Sequence, residues 1–520
     1  MQPLLRRPAL FQGLAALVAL GLVIGPLGPL LLAVLRGDAI TQLGEARVAL
    51  VFWRSVWMAT LSAGLAVLTG LPLAILAHRT RVWGAELLAM LTPLPLLLPP
   101  LLMAQGWNGL TGWDGLWASV FVLGMCYAPL PALLASRALR TQSAAAHETA
   151  LLMGGRKLAL REMVRAARPA VILGASLAFL FSITDFAVPD YMAALGETFG
   201  VYPGHVYTHF RDDDYWSGAR AAAPLVLLCG LVLYLGLWAR DRWGAEQIGS
   251  ERSAQPMNWG KHTTLASLLA WALLGLTLLA PLARIVYELG VAGPEAPGTW
   301  GSRAGESVQA ALDRGREDIG RSFRNGALAG ALALLLAPVL AHVLVRAQGW
   351  RGRLLMTLTA LPLLAPGVGY GMGAISFANR PGWAEFYQGT GLVVVVFAGR
   401  FLPIAVFLLA ERFRSVPRSR DDAAIVSGLS YPRRLIQVFV APQLSAWLLA
   451  AGLVVVFAVR ELDLAILLPG ANQSAAVRYF NALHFARDGF VAAFGLLIAA
   501  LLFLPVMIYA AWTSLRHRDD

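Results

Sequence analysis

The stretch His147-Glu148-Thr149-Ala150-Leu151-Leu152-Met153-Gly154, with Pro169 beyond it, has a partner later in the chain. That partner is Asp421-Asp422-Ala423-Ala424-Ile425-Val426-Ser427-Gly428, with Pro442 beyond it. Each places an acid, a small residue and a glycine at the same spacing, inside a basic segment between long apolar runs. How those flanking runs are read decides the fold.

The chain has 520 residues, of which 58% are hydrophobic and only 14% charged. Soluble domains carry about a quarter charged residues, so this composition belongs to a membrane protein. The net charge of +12 does not indicate nucleic acid, because the basic residues fall almost wholly in the gaps between apolar runs and no compact basic domain is present. The two cysteines, Cys126 and Cys229, lie inside apolar runs and read as small buried hydrophobes rather than a disulfide or metal site. Lys157 and Lys261 are the two lysines, and neither precedes Ser or Thr. A phosphate-cradling G-x-x-x-x-G-K-[ST] loop is therefore excluded, and any ATP used must be bound by another chain.

About 20 apolar residues cross a bilayer as a helix. The first such run is Ala9 to Leu35, too long for a signal-peptide core and read as an uncleaved membrane helix. Further runs lie near 56–77, 87–106, 115–136, 170–190 and 220–239, and six more near 264–288, 325–345, 354–377, 391–411, 443–468 and 491–513. The expectation is an all-α polytopic protein of about twelve transmembrane helices. With the N-terminus inside, the predicted cytoplasmic segments hold 26 of the 42 basic residues. The positive-inside rule then predicts N-in, C-in topology, with both opening motifs in the cytoplasm. The stretches 196–220 and 290–324 read as long outer loops.

The two halves repeat each other. Arg54-Ser55 is echoed by Arg321-Ser322, Leu94-Pro95-Leu96-Leu97 by Leu361-Pro362-Leu363-Leu364, and Phe181 and Asp185 by Phe457 and Glu461. Halves of six spans enter the membrane in the same sense and form two parallel six-helix repeats about an axis along the membrane normal. The expected units are a first half at 1–239 (core 54–239), a cytoplasmic linker at 240–262, and a second half at 263–520 (core 321–513).

Each opening motif reads as helix, tight turn, helix. Ser143 or Thr141 can cap the first, Gly154-Gly155 can end it with positive φ, and Ser419-Arg420-Asp421-Asp422 fits a capping box in the second. The motifs resemble the cytoplasmic E-A-A-x-x-x-G loop of permease subunits in type I binding-protein-dependent ABC importers. They match it as Glu148-Thr149-Ala150-x-x-x-Gly154 and Asp422-Ala423-Ala424-x-x-x-Gly428, with Thr149 in place of Ala and Asp422 in place of Glu.

The resemblance implies a fused permease of the bacterial inner membrane. Its coupling residues would be Glu148, Ala150, Gly154, Asp422, Ala424 and Gly428. Two copies of a cytoplasmic ATPase, holding ATP and Mg, would dock on these loops. A periplasmic or lipid-anchored binding protein would deliver the cargo, and the chain itself would have no catalytic residue, cofactor or metal. The segment from Glu461-Leu462-Asp463 to Ala475-Val477-Arg478 looks most like ferric-iron permeases, with thiamine and other small solutes as alternatives.

Ionisable groups inside a bilayer cost about 2.5–3.5 kcal/mol each, so they face a pathway or a partner. Asp185, Arg284, Arg400, Arg460, Glu461 and Asp463 are the candidates. The pathway or gate reading and mutual pairing, for instance Arg400 with Glu461, stand side by side. Prolines at 93, 95, 99, 100, 362 and 366 break the third run of each half and free backbone carbonyls that need new donors. A twelve-helix secondary transporter driven by an ion gradient is the rival class.

Overall fold

Apolar runs with no water to bond their backbone must satisfy every N–H and C=O internally, and this chain does so with helices. The computed structural model describes residues 8–36, 42–244, 256–291, 298–347, 349–471, 473–485 and 488–519. Helix accounts for 87% of the described residues, and no strand occurs among them. The N-terminal Arg6-Arg7 and much of the expected linker, 245–255, lie outside them.

The first half contains α1 (Pro8–Ile24), α2 (Ala46–Arg79), α3 (Pro100–Thr111), α4 (Gly115–Tyr127), α5 (Pro129–Arg140), α6 (Ala144–Thr184), α7 (Ala187–Leu195), α8 (Tyr202–Arg211) and α9 (Ala223–Gly244). The second contains α10 (Thr263–Leu274), α11 (Ala280–Glu288), α12 (Trp300–Arg346), α13 (Gly349–Leu364), α14 (Gly367–Ala378), α15 (Thr390–Phe413) and α16 (Arg418–Val426). It continues with α17 (Leu444–Arg460), α18 (Asp463–Leu467), α19 (Ala475–Phe485) and α20 (Gly489–Asp519).

Among the described residues, eight helices are long and apolar enough to cross a membrane, or ten if each of two bent pairs is one span. The chain is thus an all-helical, multi-pass membrane protein. The first expected run is interrupted by a 3-10 turn at Gly25–Leu27, where Pro26 removes a backbone donor. The last lies in α20, Gly489–Asp519, whose first part, Gly489–Leu504, is apolar. Both bent pairs fall where the prolines cluster. Ala85–Leu97 turns by 103° into Pro100–Thr111, and Gly349–Leu364 turns by 90° into Gly367–Ala378.

Two expected outer loops are largely helical. In 196–220 the chain forms α8, and in 290–324 it enters α12 at Trp300. At 47 residues, α12 extends about 70 Å, against a hydrocarbon core of about 30 Å. Its charged first part therefore projects beyond the apolar part, and the Gly-rich composition that reads as loop is carried by a solvated helix.

Corresponding elements pack alike. α2 lies against α4, α5 and α6, as α12 lies against α15 and α17. Small residues at helical spacing, Ala59, Ala63 and Ala66 on α2 and Ala329, Ala333 and Ala337 on α12, are buried and let neighbouring backbones approach. Ser55 Oγ on α2 accepts the Tyr202 N–H at the start of α8 at 2.7 Å, and Ser322 Oγ on α12 accepts the Ala475 N–H at the start of α19 at 2.8 Å. The first helices cross over: α1 packs on α12, α13 and α15, while α10 packs on α2 and α11 on α3.

Candidate functional site

Two regions gather the residues singled out above. The first is the pair of helix–turn–helix loops. In loop 1, His147 is 1% and Ala150 5% exposed, while Leu152 and Met153 are 88% and 80% exposed. In loop 2, Asp421 and Ala424 are buried and Val426 is 88% exposed. Each loop thus anchors one face and offers a bare apolar tip; Glu148 and Asp422 are on the exposed side.

The anchors differ. The carboxylate of Asp421 pairs with Arg346, lies 3.1 Å from Arg434 Nε and 4.0 Å from His342 Nε2. The expected capping box is not made: α16 starts at Arg418 with Pro417 before it and no side-chain cap. Two guanidinium groups draw Asp421 inward, because a buried carboxylate gains more from charged partners than from a backbone N–H. In loop 1 the corresponding position is His147, whose ring nitrogens have no hydrogen-bond partner among the described residues.

The turns, both glycine-ended as expected, differ from each other. In loop 2, Gly428 adopts φ +75°, and the Leu429 N–H reaches back to Ala424 O at 3.1 Å, a Schellman-type end. In loop 1 the left-handed residue is Gly155 (φ 60°, ψ −156°), one position after Gly154. That conformation is accessible essentially to glycine alone.

Loop 1 has a further support that the sequence did not reveal. The end of the linker lies beside the end of α2: the Met257 N–H donates to Arg79 O at 2.7 Å and the Arg81 N–H to Met257 O at 3.0 Å. The Met257 side chain, 4% exposed, packs in a cluster with Ala150, Ala159 and Met163.

The second region is a layer between the halves at the helix breaks. Tyr127 stacks on Phe181 at 5.4 Å, Phe181 faces Phe457 at 6.4 Å, and Phe457 faces Phe401 at 5.9 Å. Tyr127 and Phe401 occupy equivalent places in the repeat, as do Phe181 and Phe457. Each close ring pair contributes about 0.5–1.5 kcal/mol beyond area burial.

Around the rings stand the charges. α6 ends at Asp185, whose Oδ1 accepts the Val188 N–H at 2.9 Å and whose Oδ2 accepts the Tyr127 hydroxyl at 3.3 Å. α17 ends at Glu461, whose Oε1 is 3.4 Å from Arg400 Nε. Asp463 opens α18 beside it. Gly367 makes the close approach feasible, since a Cβ there would sit 2.5 Å from Asp463 Cβ and 2.9 Å from Glu461 Oε1.

The arginines take up the carbonyls that the prolines free. Arg400 Nη1 donates to Pro362 O at 3.0 Å and Ala365 O at 2.9 Å, at the break of the second bent pair. Arg460 donates to Leu96 O at the break of the first, so a second-half side chain satisfies a first-half carbonyl. Arg460 also lies over the Phe457 ring at 5.1 Å. These breaks need such donors because hydrocarbon supplies none. Arg284 stands apart, pairing with Glu288 at 3.2 Å and donating to Gly109 O at 2.9 Å.

A third contact joins the halves at α7 and α19, where His484 Nε2 lies 3.4 Å from Asp190 Oδ2. Hydrogen bonding to Asp190 raises the His484 pKa above its ordinary value, against the opposing effect of burial. Among the described residues, no three His, Cys, Asp or Glu side chains come together as a metal site. No family model matches the chain, and no curated protein is significantly similar to it.

Proposed function

We propose that the chain is the fused permease subunit of an ATP-driven importer, passing a solute to the cytoplasm by alternating access. The observation that carries this reading is the matched pair of loops, each with a buried anchor and a bare apolar tip, at corresponding places in two similarly packed halves. An exposed Leu-Met or Ile-Val tip beside a basic surface is what a cleft on a soluble partner would bury, and two such tips call for two copies of that partner. The partner holds ATP and Mg and performs the hydrolysis, and this chain performs none. A periplasmic or lipid-anchored binding protein delivers cargo in a bacterial inner membrane with N-in, C-in topology, and ferric iron or thiamine are the first cargoes to try.

In this reading Glu148, Ala150, Gly154, Asp422, Ala424 and Gly428 shape the coupling loops. Asp185, Arg400, Arg460, Glu461 and Asp463 with the four rings form the layer that closes the path between the halves. Separation of α6 from α17 would part Phe181 from Phe457 and open it.

The experiment is co-expression with the cognate ATPase and purification of the complex. Leu152→Asp with Val426→Asp should abolish co-purification and ATP-dependent uptake while leaving the permease folded. Unchanged assembly and uptake would overturn the proposal. Uptake into proteoliposomes that needs an ion gradient and no ATPase would favour the secondary transporter, to which the acids of the central layer also lend themselves.

A further inference from the structure

A cavity of about 940 Å³ lies between the halves, continuous with one of about 620 Å³ through shared lining at Leu134, Arg137, Leu173, Arg240, Met356 and Glu411. Its walls are α5, α6 and α9 of the first half and α13 and α15 of the second. Arg137 and Glu411 lie near the ends of α5 and α15 that lead into the two loops, so the cavity is at the loop end of the molecule. Its apolar lining includes Leu177, Leu233, Leu237, Phe407 and Leu408. Leu233 and Leu237 are on α9, each under 5% exposed.

The charged lining is lopsided. Arg137, Arg240, Arg353, Arg412 and Arg414 stand against Asp241 and Glu411. Each acid is held between two arginines: Asp241 by Arg240 at 2.9 Å and Arg353 at 3.5 Å, and Glu411 by Arg137 and, at 3.2 Å, by Arg414. Neither acid is therefore left over for a cationic guest, while a guanidinium carries five donors in a fork suited to carboxylate or phosphate. A general bias of arginine toward the cytoplasm explains basic loops. It does not account for five of them lining one apolar cavity between two halves.

We infer that this cavity is a binding site for an amphipathic anion: a carboxylate, phosphate or sulfonate headgroup carried on an apolar body. The headgroup takes Arg137 and Arg414 in place of Glu411, and the body lies along Leu233, Leu237 and Phe407. The larger compartment, about 940 Å³, falls within the range of ordinary ligand pockets, roughly 300–1,000 Å³. An acidic phospholipid and a soluble organic anion share this chemistry. The site does not depend on the importer reading; if that reading holds, the site is the vestibule reached after the aromatic layer opens.

The test uses the full chain in phosphatidylcholine nanodiscs, titrated with octyl phosphate and followed by calorimetry. Saturable binding is expected, weakened about tenfold or more in Arg414→Ala, which removes a charged hydrogen-bond donor. Leu237→Trp, which fills the apolar part, should abolish it. Glu411→Gln should tighten binding, because it releases both arginines from their internal partner; damage to the fold would weaken it instead.

Competition by phosphatidylglycerol identifies a lipid as the occupant, and octyl phosphate binding without such competition identifies a soluble anion. Absence of saturable binding, or equal binding by wild type, Arg414→Ala and Leu237→Trp, overturns the proposal. Assembly with the ATPase, scored separately, decides the importer reading.

Discussion

Arg400 is the side chain whose removal tests the central layer most directly. It is 6% exposed, holds Pro362 O and Ala365 O at 3.0 and 2.9 Å, and lies 3.4 Å from Glu461. Arg400→Met leaves the carboxylate of Glu461, 13% exposed, without its cation, a loss of about 3 kcal/mol at the low end of what a buried pair loses. Adding Glu461→Gln removes the stranded charge but leaves two proline-freed carbonyls without donors, for which about 1–3 kcal/mol remains. The double variant should therefore be more stable than Arg400→Met alone, although it carries one more substitution. Unfolding free energies in mixed micelles for wild type, both single variants and the double variant close the cycle. If the double variant is no more stable than Arg400→Met, the pairing is wrong; if it is as stable as wild type, the carbonyl account is wrong.

Three further outcomes follow from the geometry. Asp421→Asn strands Arg346 and Arg434 beside His342, and a local loss of about 3 kcal/mol should speed amide exchange at 422–428 roughly a hundredfold, with loop 1 unchanged. Gly155→Ala forces a Cβ into φ 60°, ψ −156° and should cost about 1–3 kcal/mol, read as exchange confined to loop 1. The raised pKa of His484 means that its bond to Asp190 stabilises the α7–α19 contact fully below the ordinary histidine value of 6.5. That contribution is lost as pH rises through the raised value. Amide protection factors in α7 and α19, with the intrinsic base-catalysed rate divided out, should thus fall as pH rises from 6 through the raised value in wild type and lose this dependence in Asp190→Asn.

Much of the architecture can be read from the chain because apolar length and proline placement act locally. The runs that contain Pro93 to Pro100 and Pro362 to Pro366 are the ones that bend, and Asp185 and Glu461 stand where α6 and α17 stop. What the arginines do is less legible. The carbonyl that Arg460 satisfies, on Leu96, is 364 residues away and is free only because of a bend whose direction no local pattern records. Asp421 reads as a cap because its neighbours in sequence allow one. Its partner Arg346 is 75 residues distant, and the ionic attraction wins. Tyr127 is one aromatic among many until the repeat sets it opposite Phe401. The segment 290–324 is misread because glycine and charge are equally compatible with a loop and with a helix that leaves the membrane.

Arg137 and Glu411, paired across the cavity mouth, are 274 residues apart, the same separation as Glu148 and Asp422. Of the residues so related, these two meet directly. Two copies of the first half would set arginine against arginine there, and two copies of the second would set glutamate against glutamate. The bond exists only between unlike halves, so the single polypeptide does more than tether them: it guarantees their one-to-one stoichiometry and rules out the self-pairing that separate genes would permit. With opposite charges at the two positions, neither half can serve as its own partner at this place.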